Sequence, residues 1–259
     1  MSIAEILREV RDPYERKARM TPGLLVVLPL LVPLLWIFGP KNPYLTALLG
    51  LVTGCGVIYA LASIARGRGK RLEERLVREW GGMPTTCLLR HRDTFLDIHT
   101  KARYHEDITK KLGVPMPNAA QEATDPTVAD QAYMAAARAL RERTRSKSHA
   151  LLLKENIAYG FHRNMSAMRP FGLATSLTGL IAGIVLSKTL QLHPLDFDID
   201  RLTAAGGVTF AGSISLLVAW FYFTHDTVRR IGIVYAERLF ESLKSLRATR
   251  TSSTSGEGE

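Results

Sequence analysis

The sequence predicts an all-α membrane protein: four transmembrane helices in two hairpins, with a mostly helical cytosolic insertion between spans two and three. Three observations predict it. Four apolar runs, 20–39, 44–64, 171–189 and 203–223, each reach the roughly 20 residues that cross a hydrocarbon core of about 30 Å. The chain is 46% hydrophobic yet carries a net charge of +10, and nearly all of that charge lies outside the four runs, a segregation foreign to one soluble core. Finally, Lys and Arg number five in 1–22, twenty in 65–169 and six in 224–259, but only three (Lys41, Lys188, Arg201) in the two short connections. The positive-inside rule then puts both termini and the middle segment in the cytoplasm.

Taken in order, 1–19 reads as an amphipathic helix, with Ser2 and Glu5 as a capping box and Ile3, Ile6, Leu7 and Val10 as its apolar stripe. It lies on a membrane surface or against the chain's own cytosolic part, or else binds a partner. The first hairpin, 20–64, contains Pro29 and Pro33, which remove backbone donors. Gly50 and Gly54 have the spacing of close helix packing. Span two continues into a helix bearing Arg66, Arg68, Lys70 and Arg71, cations suited to the headgroup boundary. Gly81, Gly82 and Pro84 break that helix. Beyond them the sequence predicts an extended piece over 86–89, a helix over 93–112 closed by Gly113, and a helix from Asp125-Pro126 onward.

The insertion, 65–169, ends in the stretch Leu151 to Gly172, where a charged helix runs into the third apolar run. Leu153, Ile157, Phe161, Met165 and Met168 share one face, expected to pack within the insertion, and Pro170 permits a change of direction at the membrane surface. Gly160, inside a helix where it costs about 1 kcal/mol against Ala, signals a close approach.

The second hairpin, 170–223, is the pore candidate. Thr175 and Thr178 in span three, with Thr209 and Ser213 in span four, either line a polar pathway or simply allow close packing. Asp196, Asp198 and Asp200 alternate in the connection, as an outer mouth that gathers cations or as a solvated loop. Span four is expected to run on into a cytosolic helix, 224–248, whose heptad-like spacing suits bundling between subunits. The tail, 249–259, is low-complexity.

The chemistry is that of binding, not catalysis. No span has an ionisable residue near its middle, which argues against proton relays and coupled transport. Cys87 and His91 make at most half a zinc site, and no phosphate loop or nucleophile elbow occurs. Hence neither an enzyme, a metal nor a cofactor is expected. What stands out is cation interleaved with stacking groups: Arg90, Arg92, Lys101, Arg103 and Tyr104, then Tyr159, His162, Arg163 and Asn164. Such sets hold single-stranded oligonucleotides or nucleotide messengers, or form a solvated basic face near anionic lipid.

Two strings, EWGGMPTTCLLR at 79–90 and ENIAYGFHRN at 155–164, set between two pairs of spans, resemble membrane effectors of bacterial anti-phage systems, in particular the four-span effector encoded beside a nucleotidyltransferase in the Hailong system. The resemblance implies a homo-oligomeric ion channel, with a tetramer favoured, in the bacterial inner membrane. It further implies gating by a nucleotide or DNA oligomer that the partner nucleotidyltransferase makes and the insertion binds, and depolarisation of the infected cell. The alternative is a non-conducting membrane scaffold that recruits a partner protein or anionic lipid.

Overall fold

The computed structural model describes residues 12–39, 42–52, 57–145, 149–187, 190–192, 195–197 and 202–246. Residues 1–11 of the expected N-terminal helix, with Gly54, Asp198, Asp200 and the tail, lie outside them. The regular elements among the described residues are helices apart from one two-stranded ladder: α1 Thr21–Phe38, α2 Pro43–Val52, α3 Ile58–Glu79, α4 Pro84–Cys87, α5 Ile98–Leu112, α6 Ala119–Thr124, α7 Pro126–Arg143, α8 Ala150–Ser187, β1 Leu190–Leu192, β2 Leu195–Phe197, α9 Ala204–Tyr222 and α10 His225–Glu241. Among the described residues three helices are long and apolar enough to cross a membrane: Glu15–Phe38, Ala150–Ser187 and Ala204–Tyr222. The second apolar run is divided between α2 and α3, with 53–56 outside the described residues.

The chain forms two compact units, 1–76 with 157–228 and 77–156 with 229–259. Residues 65–76 and 157–169, placed by sequence in the insertion, thus belong to the first unit, and the C-terminal helix contributes to the second. In the first unit a π-helical turn, Glu15–Met20, leads straight into α1, so the first membrane-length helix starts earlier than the apolar run does. The Glu15–Arg19 ion pair staples that turn. Pro29 and Pro33 deprive the carbonyls of Leu25 and Pro29 of their usual donors, yet α1 passes through both, with both rings buried against neighbours.

The core of this unit is Val26, Ala65, Met165, Met168, Trp220 and Phe223, flanked by Leu25, Phe161, Leu173 and Leu216. The α8 stripe therefore does not pack within the insertion as expected. Its Phe161, Met165 and Met168 find their apolar partners on α1, α3 and α9, while Leu153 at its start is exposed. Pro170 produces no break either. It removes one donor, but α8, 38 residues long in all, continues past it to Ser187, because the flanking turns are fixed by core packing.

Helices α8 and α9 approach along glycines. A Cβ at Gly172 would strike the Trp220 ring, at Gly179 the Ser213 hydroxyl and Pro29, at Gly183 the Phe210 backbone, and at Gly206 the backbone of Ser187. Those pairs run in opposite directions along the two helices, which fixes them as antiparallel. Thr203 caps α9 by accepting from Gly206 N–H and donating to the Leu186 carbonyl at 2.6 Å. Between α8 and α9 the alternation LQL and LDF forms the antiparallel ladder, in which Asp196 is opposite Gln191. Helix α9 does not run on into the C-terminal helix as expected. The chain breaks at Phe223 and Thr224, and the Thr224 hydroxyl accepts from Thr227 N–H at 3.2 Å to start α10.

In the second unit α3 ends at Glu79 and Gly81 turns the chain at φ +74°. The expected extended piece over 86–89 is a helical turn instead, since Pro84 follows an extended Met83 and starts α4. Asp97, accepting from Thr100 N–H, begins α5 later than expected, and Gly113 at φ +70° ends it. Helix α6, which sequence reading missed, rests on a capping box between Asn118 and Gln121. Asp125 caps α7 as expected.

The glycine seam makes a test. Gly183→Leu forces a side chain into the Phe210 backbone and should lower stability by about 1–3 kcal/mol or more. Gly212→Ala meets nothing within 4 Å and should stabilise by up to about 1 kcal/mol. Thermal unfolding of the full chain in detergent checks both; equal effects would refute the close approach.

Candidate functional site

The nine residues singled out for ligand binding divide between the two units. Arg90, Arg92, Lys101, Arg103 and Tyr104 lie in the second, Tyr159, His162, Arg163 and Asn164 in the first.

In the second unit the turn after α4 carries Arg90 into the interior. Its guanidinium donates to both Asp130 oxygens, at 2.8 and 2.6 Å, and to the Gly81 carbonyl at 2.7 Å. Lys101, equally buried, donates from Nζ to the carbonyls of Arg90 and Asp93, at 2.7 and 2.5 Å. Arg92 is 39% exposed and reaches Glu122 at 2.8 Å and Asp130 at 3.1 Å. Arg103 is exposed beside the Tyr104 ring, while Tyr104 itself packs in the interior against Phe240. Arg92 and Arg103 are therefore the two cations of this set that present charge to solvent.

Glu122 organises this network and was not singled out in the sequence. Only 3% exposed, it accepts from Tyr133 Oη at 2.6 Å, from the backbone N–H groups of His91 and Arg92, and from the Arg92 guanidinium. Burial works to raise its carboxyl, but these donors outweigh burial and hold it at about 2. The same arrangement pushes the Tyr133 hydroxyl up, through burial first and then the Glu122 carboxylate. His105 donates from Nε2 to the Leu89 carbonyl at 2.7 Å and lies edge-on to His91, and burial lowers its affinity for a second proton. Cys87 is buried beside Arg90, its thiol pushed up by burial. No cluster of three metal-ligating side chains occurs among the described residues.

In the first unit, Glu73 of α3 accepts from Tyr159 Oη at 2.8 Å and from Arg163 at 2.9 Å, both on α8. Asn164, fully buried, donates from Nδ2 to the Ala18 carbonyl in the π-helical turn at 2.6 Å and packs against Gly69. The close approach signalled by Gly160 exists, and its occupants are Tyr14 Oη and Ala18. His162 donates from Nδ1 to the Ala158 carbonyl and sits among Phe161, Tyr222 and Phe223. Tyr159, Arg163 and Asn164 thus join α8 to α3 and to the entry of α1.

The four pore candidates also separate. Thr175 and Thr178 donate back to their own helix, to the Phe171 and Ala174 carbonyls at 3.0 Å, and Thr178 is exposed. Thr209 and Ser213 are 1% exposed in the unit interior, and their hydroxyls, like those of Ser176, Ser166 and Thr86, have no hydrogen-bond partner among the described residues. Of the outer-mouth aspartates, Asp196 lies in β2.

No protein-family model, curated protein or solved structure matches the chain. The geometry must therefore speak for itself. Glu73, Glu122 and Asp130, the acids that neutralise the conspicuous cations, had no signal in the sequence, because their partners lie 30 to 90 residues away.

Acid should dissolve the Glu122 network first at its histidine. His105 is held below its ordinary value near 6.5, so stability falls as pH drops below that value while the unfolded chain takes up the proton. The Glu122 contribution is complete above about 4.5 and is lost as pH falls toward about 2. Glu122→Gln should flatten the lower part of the stability profile in denaturant titrations and leave the part above pH 5 parallel to the parent.

Proposed function

We propose that the protein is an oligomeric, ligand-gated ion channel without catalytic chemistry, a membrane effector of bacterial anti-phage defence opened or closed by a nucleotide or DNA oligomer. Four spans in two hairpins, with both termini and the insertion in the cytoplasm of the inner membrane, belong to this reading. The observation that carries it is that, among the described residues, three buried hydroxyls of the apolar helices, Ser176 on α8 with Thr209 and Ser213 on α9, have no partner, as is also true of Ser166 and Thr86. A hydroxyl buried in an apolar unit is costly unless something polar visits it. Water and partly dehydrated cations along a conduction path are such visitors.

The ligand would meet the second unit at Arg103 and Arg92. A phosphate that engages Arg92 competes with Glu122 and Asp130, so binding would loosen the Asp130 link to Arg90 and alter how α7 is held to the turn after α4. Arg90, Lys101 and Tyr104 then support the site instead of touching ligand. Helix α8 offers a route onward, because its polar start and its membrane-length end belong to one helix. Tyr159, Arg163 and Asn164 tie that route to α3 and α1.

A scaffold that recruits a protein partner or anionic lipid without conducting is the second reading. It is favoured by the neutralisation of Arg90, Arg92 and Arg163 by carboxylates, which leaves less charge for an oligonucleotide.

Purified full chain in liposomes separates the two. A channel should pass ions in a manner that changes on adding single-stranded oligonucleotide or after nuclease treatment, and joint replacement of Asp196, Asp198 and Asp200 by Lys should shift selectivity away from cations. No flux under any of these conditions leaves the scaffold. Gly160→Leu, which collides with Tyr14 and Ala18, should uncouple oligonucleotide binding from flux if α8 transmits the signal; unchanged coupling in a folded variant would exclude that route.

A further inference from the structure

The cations of the first unit fall into two chemically distinct groups. Arg163 is neutralised by Glu73 and Arg19 by Glu15. By contrast Arg66, Arg68, Lys70 and Arg71 on α3 are exposed, and neither these four nor Arg169 on α8 has a carboxylate partner among the described residues. The five stand where α3 leaves its apolar segment and where the apolar part of α8 begins.

Two of the arginines are already positioned. The Arg68 guanidinium lies 4.3 Å from the centre of the Phe171 ring, on a different helix, and Arg169 lies 5.7 Å from that of Phe221. A cation held by the field of an aromatic ring spends no hydrogen-bond donor on that contact, so the N–H groups of exposed Arg68 and the terminal N–H groups of Arg169, whose Nε is buried, are left to donate. Those N–H groups fit the paired oxygens of a phosphodiester. Phe171 is 43% exposed and Phe221 and Tyr222 are each 59% exposed. Beside each fork of donors there is thus an apolar aromatic surface, which a free phosphate has no use for and an acyl chain does.

We infer that Arg68 on Phe171, with Arg169 on Phe221 as a second position, forms a binding site for the phosphodiester headgroup of an anionic phospholipid. The inference rests on the membrane reading of the apolar helices and concerns the lipid that touches them. The remaining cations, Arg66, Lys70 and Arg71, supply attraction without fixed geometry, each contributing on the scale usual for a basic residue near a charged leaflet. Because Arg68 comes from α3 and Phe171 from α8, an occupied site holds these two helices together at a level where no ion pair between described residues does so.

The test uses the full chain, with short-chain phosphatidylglycerol, short-chain phosphatidylcholine, inorganic phosphate and a single-stranded oligonucleotide as probes on detergent-purified protein. The readout is the midpoint of thermal unfolding, which rises with any ligand bound only by the folded state. Phosphatidylglycerol should raise the midpoint well above phosphatidylcholine at equal concentration, and phosphate alone should not. Arg68→Gln and Arg169→Gln should each raise about fivefold the phosphatidylglycerol concentration needed for a given midpoint shift, and Arg68→Lys should restore only part of the affinity, since charge returns without the planar fork.

Equal responses of the unsubstituted protein to both lipids overturn the proposal whatever the variants do. An equal effect of inorganic phosphate removes the lipid from it, and tighter binding of the oligonucleotide assigns the surface to nucleic acid instead. Reconstitution into vesicles of phosphatidylcholine, alone or equimolar with phosphatidylglycerol, keeps the underlying reading separate. Protein that inserts in both but shows no anionic preference refutes the site alone, whereas protein left in the aqueous phase of both refutes the membrane reading with it.

Discussion

Backbone approach between helices is the constraint on which the apolar unit depends. Lipid tails are as apolar as leucine, so burying leucine against leucine gains little inside a bilayer, and helices must be held by close contact and by hydrogen bonds. Gly172, Gly179, Gly183 and Gly206 provide the contact between α8 and α9, and Gly23 does the same for α1 against Leu61 of α3. The proline-bearing α1 fits this scheme. Pro29 packs at Gly179, so the residue that weakens one helix's own hydrogen bonding is seated in the gap that another helix leaves.

The polar counterpart is neutralisation at short range. Each conspicuous cation that points inward meets an acid or a carbonyl: Arg90 meets Asp130, Lys101 two carbonyls, Arg163 Glu73. Such pairs gain little over an apolar core of equal volume, but removing one member leaves a buried charge and is expensive. They are therefore better at specifying one arrangement than at stabilising it. Glu122 is the extreme case, with four donors on one carboxylate and an acidity shifted far below that of a free side chain.

How much of this was legible beforehand follows from the range of the interactions. Local signals were dependable: Asp125-Pro126, Gly113, the Gly81 turn and the start of α9 needed only neighbours in sequence. Pro84 was misread as part of an extended segment because a proline that breaks one helix can equally start the next. The apolar stripe of α8 was recognised, but periodicity reveals a face without its partner, and the partners came from α1, α3 and α9. The candidate ligand site suffered most. Arg90, Lys101 and Tyr159 look like ligand contacts in a list of residue types, and only the fold reveals that acids and carbonyls distant in sequence already hold them.

The π-helical turn at Glu15–Met20 bears on how the protein is made. The Ala18 carbonyl receives its hydrogen bond from Asn164, 146 residues further along the chain. At about 5–20 residues per second, synthesis delivers that partner on the order of ten seconds after the turn itself. The hydrogen bond at the entry of the first membrane-length helix must wait until the second such helix arrives, so a cell in which elongation stalls between the two would hold a chain whose earliest helix still lacks that partner.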